Sequence, residues 1–221
     1  MISERVISVH FPKAAGTSLR SQFEKHVGSG LFLDYNHDPL GDNVYEPPEA
    51  FSESIKIVHG HFRADRYDKE ASAVRLTILR HPVDNLISIY FFWLGLPSIG
   101  NPLHDRFLAE RPSIETFARY SGMHDLMSHS YFGGYDMNRM NFVGFHEDRT
   151  TDIPRLGLLL DLPLSAEVHE NRTPSADDVI RAELMQDHTT LGKIADGLAA
   201  DLAFYDVQYS RWSVRGGAPK S

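Results

Sequence analysis

The chain contains no cysteine, so neither a disulfide framework nor a thiolate metal site is open to it, and packing alone must hold the fold. Positive charge is scarce: 22 lysines and arginines stand against 30 aspartates and glutamates, a formal net charge of −8 with the histidines neutral. A surface of that sign opposes nucleic acid and other extended polyanions, which excludes a role carried by a broad basic face and confines any anion site to a local pocket. Long hydrophobic runs are missing as well. The most apolar stretch, residues 86–96, is about half of the roughly 20 residues that a membrane span needs. No repeat, low-complexity tract or Pro/Gly/Ser linker divides the sequence.

What remains is an ordinary globular composition, 42% hydrophobic and 24% charged over 221 residues, which fits one domain spanning 1–221. The first strand-like residues, Val6, Ile7 and Val9, come almost at once. The expectation is therefore a cytoplasmic protein without a signal peptide or anchor ahead of that strand. The tail, residues 214–221, is small and polar and reads as flexible.

Runs rich in β-branched and aromatic residues predict strands over 5–10, 31–35, 55–62, 74–80 and 142–145. Helical periodicity separates several of them. Leu19 and Phe23 share a face in 17–26, and Leu86, Ile87, Tyr90, Phe91 and Leu94 share one in 83–94. The alternation predicts an α/β fold with a P-loop-like, mostly parallel sheet flanked by helices, whose ligand site lies at the carboxyl ends of the strands. Helical patterns over 153–160, 177–186 and 191–204 predict a helical C-terminal layer covering that sheet. Residues 90–97, Tyr-Phe-Phe-Trp-Leu-Gly-Leu-Pro, suit a buried helix or one wall of a pocket, with core packing the favoured reading.

The run Val9-His10-Phe11-Pro12-Lys13-Ala14-Ala15-Gly16-Thr17-Ser18-Leu19 carries a strand through a short loop into a helix. Unpaired N–H groups at a helix start favour an anion, Lys13 adds a full charge, and the small residues Ala14, Ala15 and Gly16 permit close approach of the backbone. Thr17 and Ser18 add hydroxyl donors. This is not a Walker A loop, in which the lysine directly precedes the magnesium-binding Ser/Thr; here Lys13 comes before Gly16. A second anion anchor follows the fourth strand, which ends in Arg80 where a magnesium-binding acid would stand in a Walker B strand. Ser88 lies eight residues on, placed to add a hydroxyl, and Asp84 fits an ordinary helix cap. Between the anchors, His59 and His61 alternate along a strand and so face one side, with Gly60 between them leaving room for a close approach. Taken by itself, that pair reads as a zinc pair lacking a third ligand or as packed strand residues.

In this form the loop resembles the 5′-phosphosulfate loop of sulfotransferases that use 3′-phosphoadenosine 5′-phosphosulfate (PAPS). The similarity is to the branch that includes heparan sulfate 2-O-sulfotransferase, where the run reads Pro-Lys-x-x-x-Thr-Ser. The resemblance covers residues 5–175. It implies that Lys13, Ala14, Ala15, Gly16, Thr17 and Ser18 hold the 5′-phosphosulfate and that Arg80 and Ser88 grip the 3′-phosphate. It also implies that His61 is the general base, assisted by His59 and Lys13. Asn141 to Asp148 is similar to the family's Val-Gly-x-x-Glu strand end. Asn171-Arg172-Thr173-Pro174 is similar to its Asn/Thr segment, with Arg172 and Thr173 near the nucleotide. The implied reaction is sulfuryl transfer from PAPS, without a metal, to a hydroxyl or amine of a carbohydrate, glycolipid or small-molecule acceptor, leaving 3′-phosphoadenosine 5′-phosphate (PAP). Arg63 and Arg66, just beyond His61, are the candidate acceptor-binding residues. Family members of the Golgi carry a membrane anchor and often disulfides, which this sequence does not show. A P-loop small-molecule kinase and a noncatalytic nucleotide-binding protein share parts of the same pattern.

Overall fold

Short apolar runs alternate with amphipathic ones, and in the computed structural model, which describes residues 2, 4–35, 39–40, 46–167 and 177–213, they become strands and helices in turn. In chain order these are β1 (Val6–Val9), α1 (Gly16–Val27), β2 (Leu31–Asp34), β3 (Ile57–Gly60), β4 (Val74–Leu79), α2 (Pro82–Gly95), α3 (Pro102–Glu110) and α4 (Ile114–Phe117). Then follow β5 (Phe142–Phe145), α5 (Arg149–Leu160), α6 (Asp177–Leu184), α7 (His188–Gly197) and α8 (Ala199–Trp212). A π-helical turn occupies Leu126–Tyr131. The expectations at Arg172, Thr173 and the 214–221 tail lie outside the described residues.

The five strands form one sheet in the order β2-β3-β1-β4-β5, and every pairing is parallel. Strands β1, β3 and β5 are buried at every position, as expected when helices cover both faces. From β1 the chain winds outward to β2 and β3 on one side and then crosses to β4 on the other. The carboxyl ends of β1 and β4 thus flank the point where the winding reverses, the crevice in which such sheets bind ligands.

The third strand stops earlier than its sequence suggests, at Gly60, which lies opposite Asp34, the last residue of β2. The room at Gly60 is taken by the neighbouring strand rather than left for a ligand: a Cβ there would stand 1.7 Å from the Asp34 carbonyl oxygen. His61 consequently sits one residue past the strand, at its carboxyl end.

The helical layer departs from the periodicity in two places. Residues 191–204 are not one helix, because the chain breaks at Leu198 between α7 and α8. Helix α3 carries a signal that periodicity misses, Asn101-Pro102, in which the Asn101 side chain accepts from the N–H groups of Leu103 and His104 and Pro102 takes the first helical position. In α2, Tyr90 and Trp93 pack edge-on against Phe107, and Trp93 against Phe117 as well, so Tyr90, Phe91, Trp93 and Leu94 lean half-buried on the core. Phe92 turns outward, 48% exposed, and Gly95 and Pro97 are exposed as well. At the far side, buried Asp201 of α8 accepts from the N–H groups of Met127 and Ser128 and from the Ser128 hydroxyl at 2.6–2.9 Å, clamping the π-helical turn to the C-terminal layer.

Gly60→Ala should destabilise the fold by about 3 kcal/mol or more, because the clash is with backbone that cannot rotate away. Gly192→Ala, at a helical position with nothing within 4 Å of the added Cβ, should be neutral or stabilising by up to about 1 kcal/mol. Urea denaturation of the two variants checks this contrast.

Candidate functional site

The loop between β1 and α1 is built to turn its backbone outward. Lys13 (φ 57°) and Ala15 (φ 75°) both adopt the left-handed conformation, which costs a side-chain-bearing residue about 1–2 kcal/mol, and such strain persists only where the surroundings impose it. Those surroundings are side chains that seize the loop's carbonyls. The Asn85 amide donates to Pro12 O at 2.6 Å, Arg80 Nη1 donates to Lys13 O at 3.1 Å, and His59 Nε2 donates to Gly16 O at 3.2 Å. Carbonyl and N–H point oppositely across a trans peptide. Holding these three oxygens inward therefore turns the N–H groups of Lys13, Ala14 and Thr17 toward the opposite side. The N–H groups of residues 13–17 make no hydrogen bond among the described residues. Ala14 is buried, Thr17 is exposed at the first turn of α1 and Ser18 is half-buried.

Two cations converge on this loop. The Lys13 ammonium rests 4.2 Å from the Phe92 ring centroid. Burial and then the Arg80 and Arg181 guanidiniums lower its pKa from the ordinary lysine value. Arg80, at the end of β4, has a buried Nε with no hydrogen-bond partner. Its pKa is lowered by burial and by Arg181, and raised by Asp84 and Glu147. Arg80 thus touches the loop directly, through the Lys13 carbonyl. Ser88 is buried on the α2 face that carries Asn85. Glu147 accepts from the His81 N–H at 2.8 Å and from the Tyr205 hydroxyl at 3.0 Å, so this acid ties β5 and α8 to the start of α2. His146 stands beside Arg80, its Nδ1 buried and unpartnered; burial, then Arg80 and Arg149, push its pKa down to about 4.

The histidines sort by depth. His59 and His61 share one side of the sheet, as their alternation requires, and both stack on a third ring, His10, at centroid distances of 5.1 and 4.2 Å. His59 is 1% exposed; burial, then His61, push its pKa down to about 3, so it is neutral. With Nε2 donating to Gly16 O, its Nδ1 accepts from the Ser8 hydroxyl at 2.8 Å. Both nitrogens are spent, which removes His59 from any zinc pair and makes it a support of the anion loop. His61, half-buried, has Nδ1 at 2.8 Å from the His10 carbonyl and 3.1 Å from the Tyr131 hydroxyl. Because that carbonyl only accepts, Nδ1 carries the proton and Nε2 is the basic nitrogen.

His10, Tyr131 and Asn85 are the residues that sequence reasoning missed. His10 has its pKa held well below the ordinary value by burial first and by His61, His59, Lys13 and Arg20 after it, and its Nδ1 lies 3.1 Å from the Tyr35 hydroxyl. Its ring also fills the space beside Gly16, where a Cβ would come within 1.8 Å of it. Arg63 and Arg66, expected to face an acceptor, are held by the protein itself. Arg66 pairs with buried Asp34 at 2.8 Å, and Arg63 pairs with Asp65 and donates to Gly133 O at 2.9 Å.

Neither protein-family profiles nor curated proteins yield a match to this sequence. Among solved structures, a sulfotransferase from Alicyclobacillus acidocaldarius is similar over 91% of this chain and 97% of its own, with a TM-score of 0.41 and 15% identity. Mouse sulfotransferase SULT7A1, complexed with PAP, is similar over 83% of this chain, with a TM-score of 0.42 and 16% identity. This chain spans 64% of that mouse chain. These are distant likenesses of architecture, and the roles of individual residues rest on the geometry above.

His59→Gln, which keeps a donor for Gly16, should flatten the acid side of the stability profile. A histidine with a depressed folded pKa stays neutral when the unfolded chain takes up a proton, so stability falls as pH drops below about 6.5, by up to about 1.4 kcal/mol per unit for each such residue. Buried Asp152 and Asp201, whose pKa values burial raises, act in the opposite sense but are common to both proteins and cancel in the difference. Urea titrations at pH 6.5 and 5.0 should show a smaller loss for the variant.

Proposed function

We propose that this chain is a PAPS-dependent sulfotransferase acting on a hydroxyl or amine of a discrete glycan, glycolipid or other small acceptor, in a cytoplasmic setting. One observation carries the reading. A loop with its N–H groups turned outward, a lysine whose ammonium lies over the Phe92 face and makes no hydrogen bond or ion pair among the described residues and an arginine with a buried, unpartnered Nε meet at the sheet's switch point, beside a histidine set as a base. Two anions on one small molecule match these two cations, as in a nucleotide phosphorylated at 3′ and 5′. The sequence resemblance to the 2-O-sulfotransferase branch supports the same assignment of Lys13, Arg80, Ser88 and His61.

In the proposed reaction, the acceptor oxygen forms a bond to sulfur as the bond from sulfur to the 5′-phosphate oxygen breaks. Lys13 and the N–H groups of residues 13–17 offset the charge that develops on that leaving oxygen, with Thr17 and Ser18 as hydroxyl donors. His61 Nε2 takes the acceptor's proton. As the ring becomes imidazolium, its Nδ1–H is already directed at the His10 carbonyl, which strengthens that bond without any rearrangement. The acceptor is proposed to be compact because the chain's net charge of −8 repels a long polyanion and because Arg63 and Arg66 are already paired.

PAP at about 100 times its dissociation constant should stabilise the protein by about 2.7 kcal/mol, and adenosine 5′-monophosphate at matched concentration by much less. Equal thermal shifts for the two would remove Arg80 and Ser88 from the donor site. His61→Ala should lower turnover by about 10²–10⁴-fold with PAP affinity nearly unchanged; retention of more than about a tenth of the activity would show that His61 is not the base. β4 ends in Arg80 rather than a carboxylate, so transfer should persist in a chelator. Loss in chelator, restored by magnesium together with turnover of ATP, would mark a kinase instead.

A further inference from the structure

Tyr131 ends the π-helical turn Leu126–Tyr131 and is 1% exposed. Its surroundings fix it on several sides. Its carbonyl accepts from the Ala64 N–H at 2.9 Å, its ring meets that of Phe11 edge-on at a centroid distance of 5.2 Å, and buried Asp201 holds the N–H groups of Met127 and Ser128 in the same turn. A π-helical turn is a rare geometry found often at functional sites, and here a buried carboxylate is committed to keeping one in place. The Tyr131 hydroxyl is thereby set 3.1 Å from His61 Nδ1. That nitrogen carries its proton toward the His10 carbonyl at 2.8 Å, so it has no lone pair to offer and the phenol meets it with oxygen. The Nδ1–H is shared by two oxygens in a three-centre bond. The neighbouring rings hold His61 by its faces and edges: His10 stacks on it at 4.2 Å and Tyr35 stands edge-on at 5.1 Å, with its hydroxyl directed to His10 Nδ1. The formal charges that act on His10 in this stack are Lys13 and Arg20, the latter paired with Glu24 on α1 at 2.9 Å. Cations oppose a positive ring, and oxygens at Nδ1 favour one.

We propose that Tyr131 is a positioning residue for the base: its phenol oxygen and the His10 carbonyl together hold the Nδ1–H of His61, keep Nε2 as the basic nitrogen, and stabilise the imidazolium formed when Nε2 takes the acceptor's proton. The inference rests on the reading of His61 as the base and deepens it. Two neutral oxygens raise the basicity of an imidazole less than a carboxylate would. They also bring no negative charge into a crevice that has to admit an anionic donor.

The test reads His61 directly and needs no acceptor. Nitrogen NMR of the isotope-labelled full-length protein, with and without PAP, gives the tautomer of His61 and its protonation midpoint, with the signals assigned by their loss in His61→Gln. In the wild type the neutral ring should carry its proton on Nδ1. Tyr131→Phe keeps the ring against Phe11 and removes only the oxygen; it should lower the midpoint by about 0.5–1 unit and leave PAP affinity within about twofold of wild type. Tyr90→Phe removes another core phenol, bonded to the Pro112 carbonyl at 2.9 Å, and should leave the midpoint where it was. A tyrosine that merely braced the fold would behave like that control, lowering the melting temperature without moving the midpoint. A midpoint shared by Tyr131→Phe and the wild type overturns the inference and leaves His61 standing as the base. A wild-type His61 whose proton sits on Nε2 overturns the base assignment and the inference together. Failure of the wild type to bind PAP overturns the donor reading alone, since the titration of the ligand-free protein still decides Tyr131.

Discussion

Everything at the candidate crevice depends on how the carbonyl oxygens of residues 12–16 are held. An anion-binding loop has to present N–H groups, and a backbone can do so only if its oxygens are satisfied elsewhere. Here Asn85, Arg80 and His59 each take one oxygen, from α2, from the end of β4 and from β3. The left-handed turns at Lys13 and Ala15 follow from those three pins. Lys13 contributes its charge and its carbonyl to different partners, the first to the site and the second to Arg80, so the loop and the second anchor are parts of one assembly.

The sheet order explains why these groups meet at all. Strands β3, β1 and β4 are consecutive in space, so a residue leaving the end of each lands in one crevice: His61, Lys13 and Arg80. The same adjacency explains the buried histidine stack, in which the ring of His10 just past β1 lies between those of His59 and His61. His61 and the loop-bracing His59 therefore rest on a common aromatic partner.

Much of this was legible in the residues. The strands announced themselves by β-branched runs, the parallel sheet by alternation with helices, and the two anchors by a lysine in a small-residue loop and an arginine at a strand end. Strand order was not legible, because it depends on contacts between residues far apart in sequence. Asn85 and Tyr131 went unseen for a different reason: they act through a backbone oxygen and a ring nitrogen, and the π-helical turn that carries Tyr131 has no helical or strand period. Gly60 was legible as a place of close approach, but the approaching group is the Asp34 carbonyl of the edge strand. Arg66 read as a candidate acceptor-binding residue because its partner Asp34 lies far back along the chain.

The Asp201 clamp divides the proposed chemistry along the chain. The loop, Arg80 and Asn85 all fall within the first 90 residues and depend on neighbouring strands, whereas Tyr131 reaches His61 from a turn that Asp201 of α8 secures. Local unfolding of the C-terminal layer would therefore separate the two activities. A protein with α8 detached would keep the loop and Arg80 while losing the hydroxyl beside the base, and so would still recognise a nucleotide that it could no longer turn over efficiently. Acceptor chemistry in this fold is accordingly the more fragile half, exposed to changes far from the sheet, and donor recognition the more robust one.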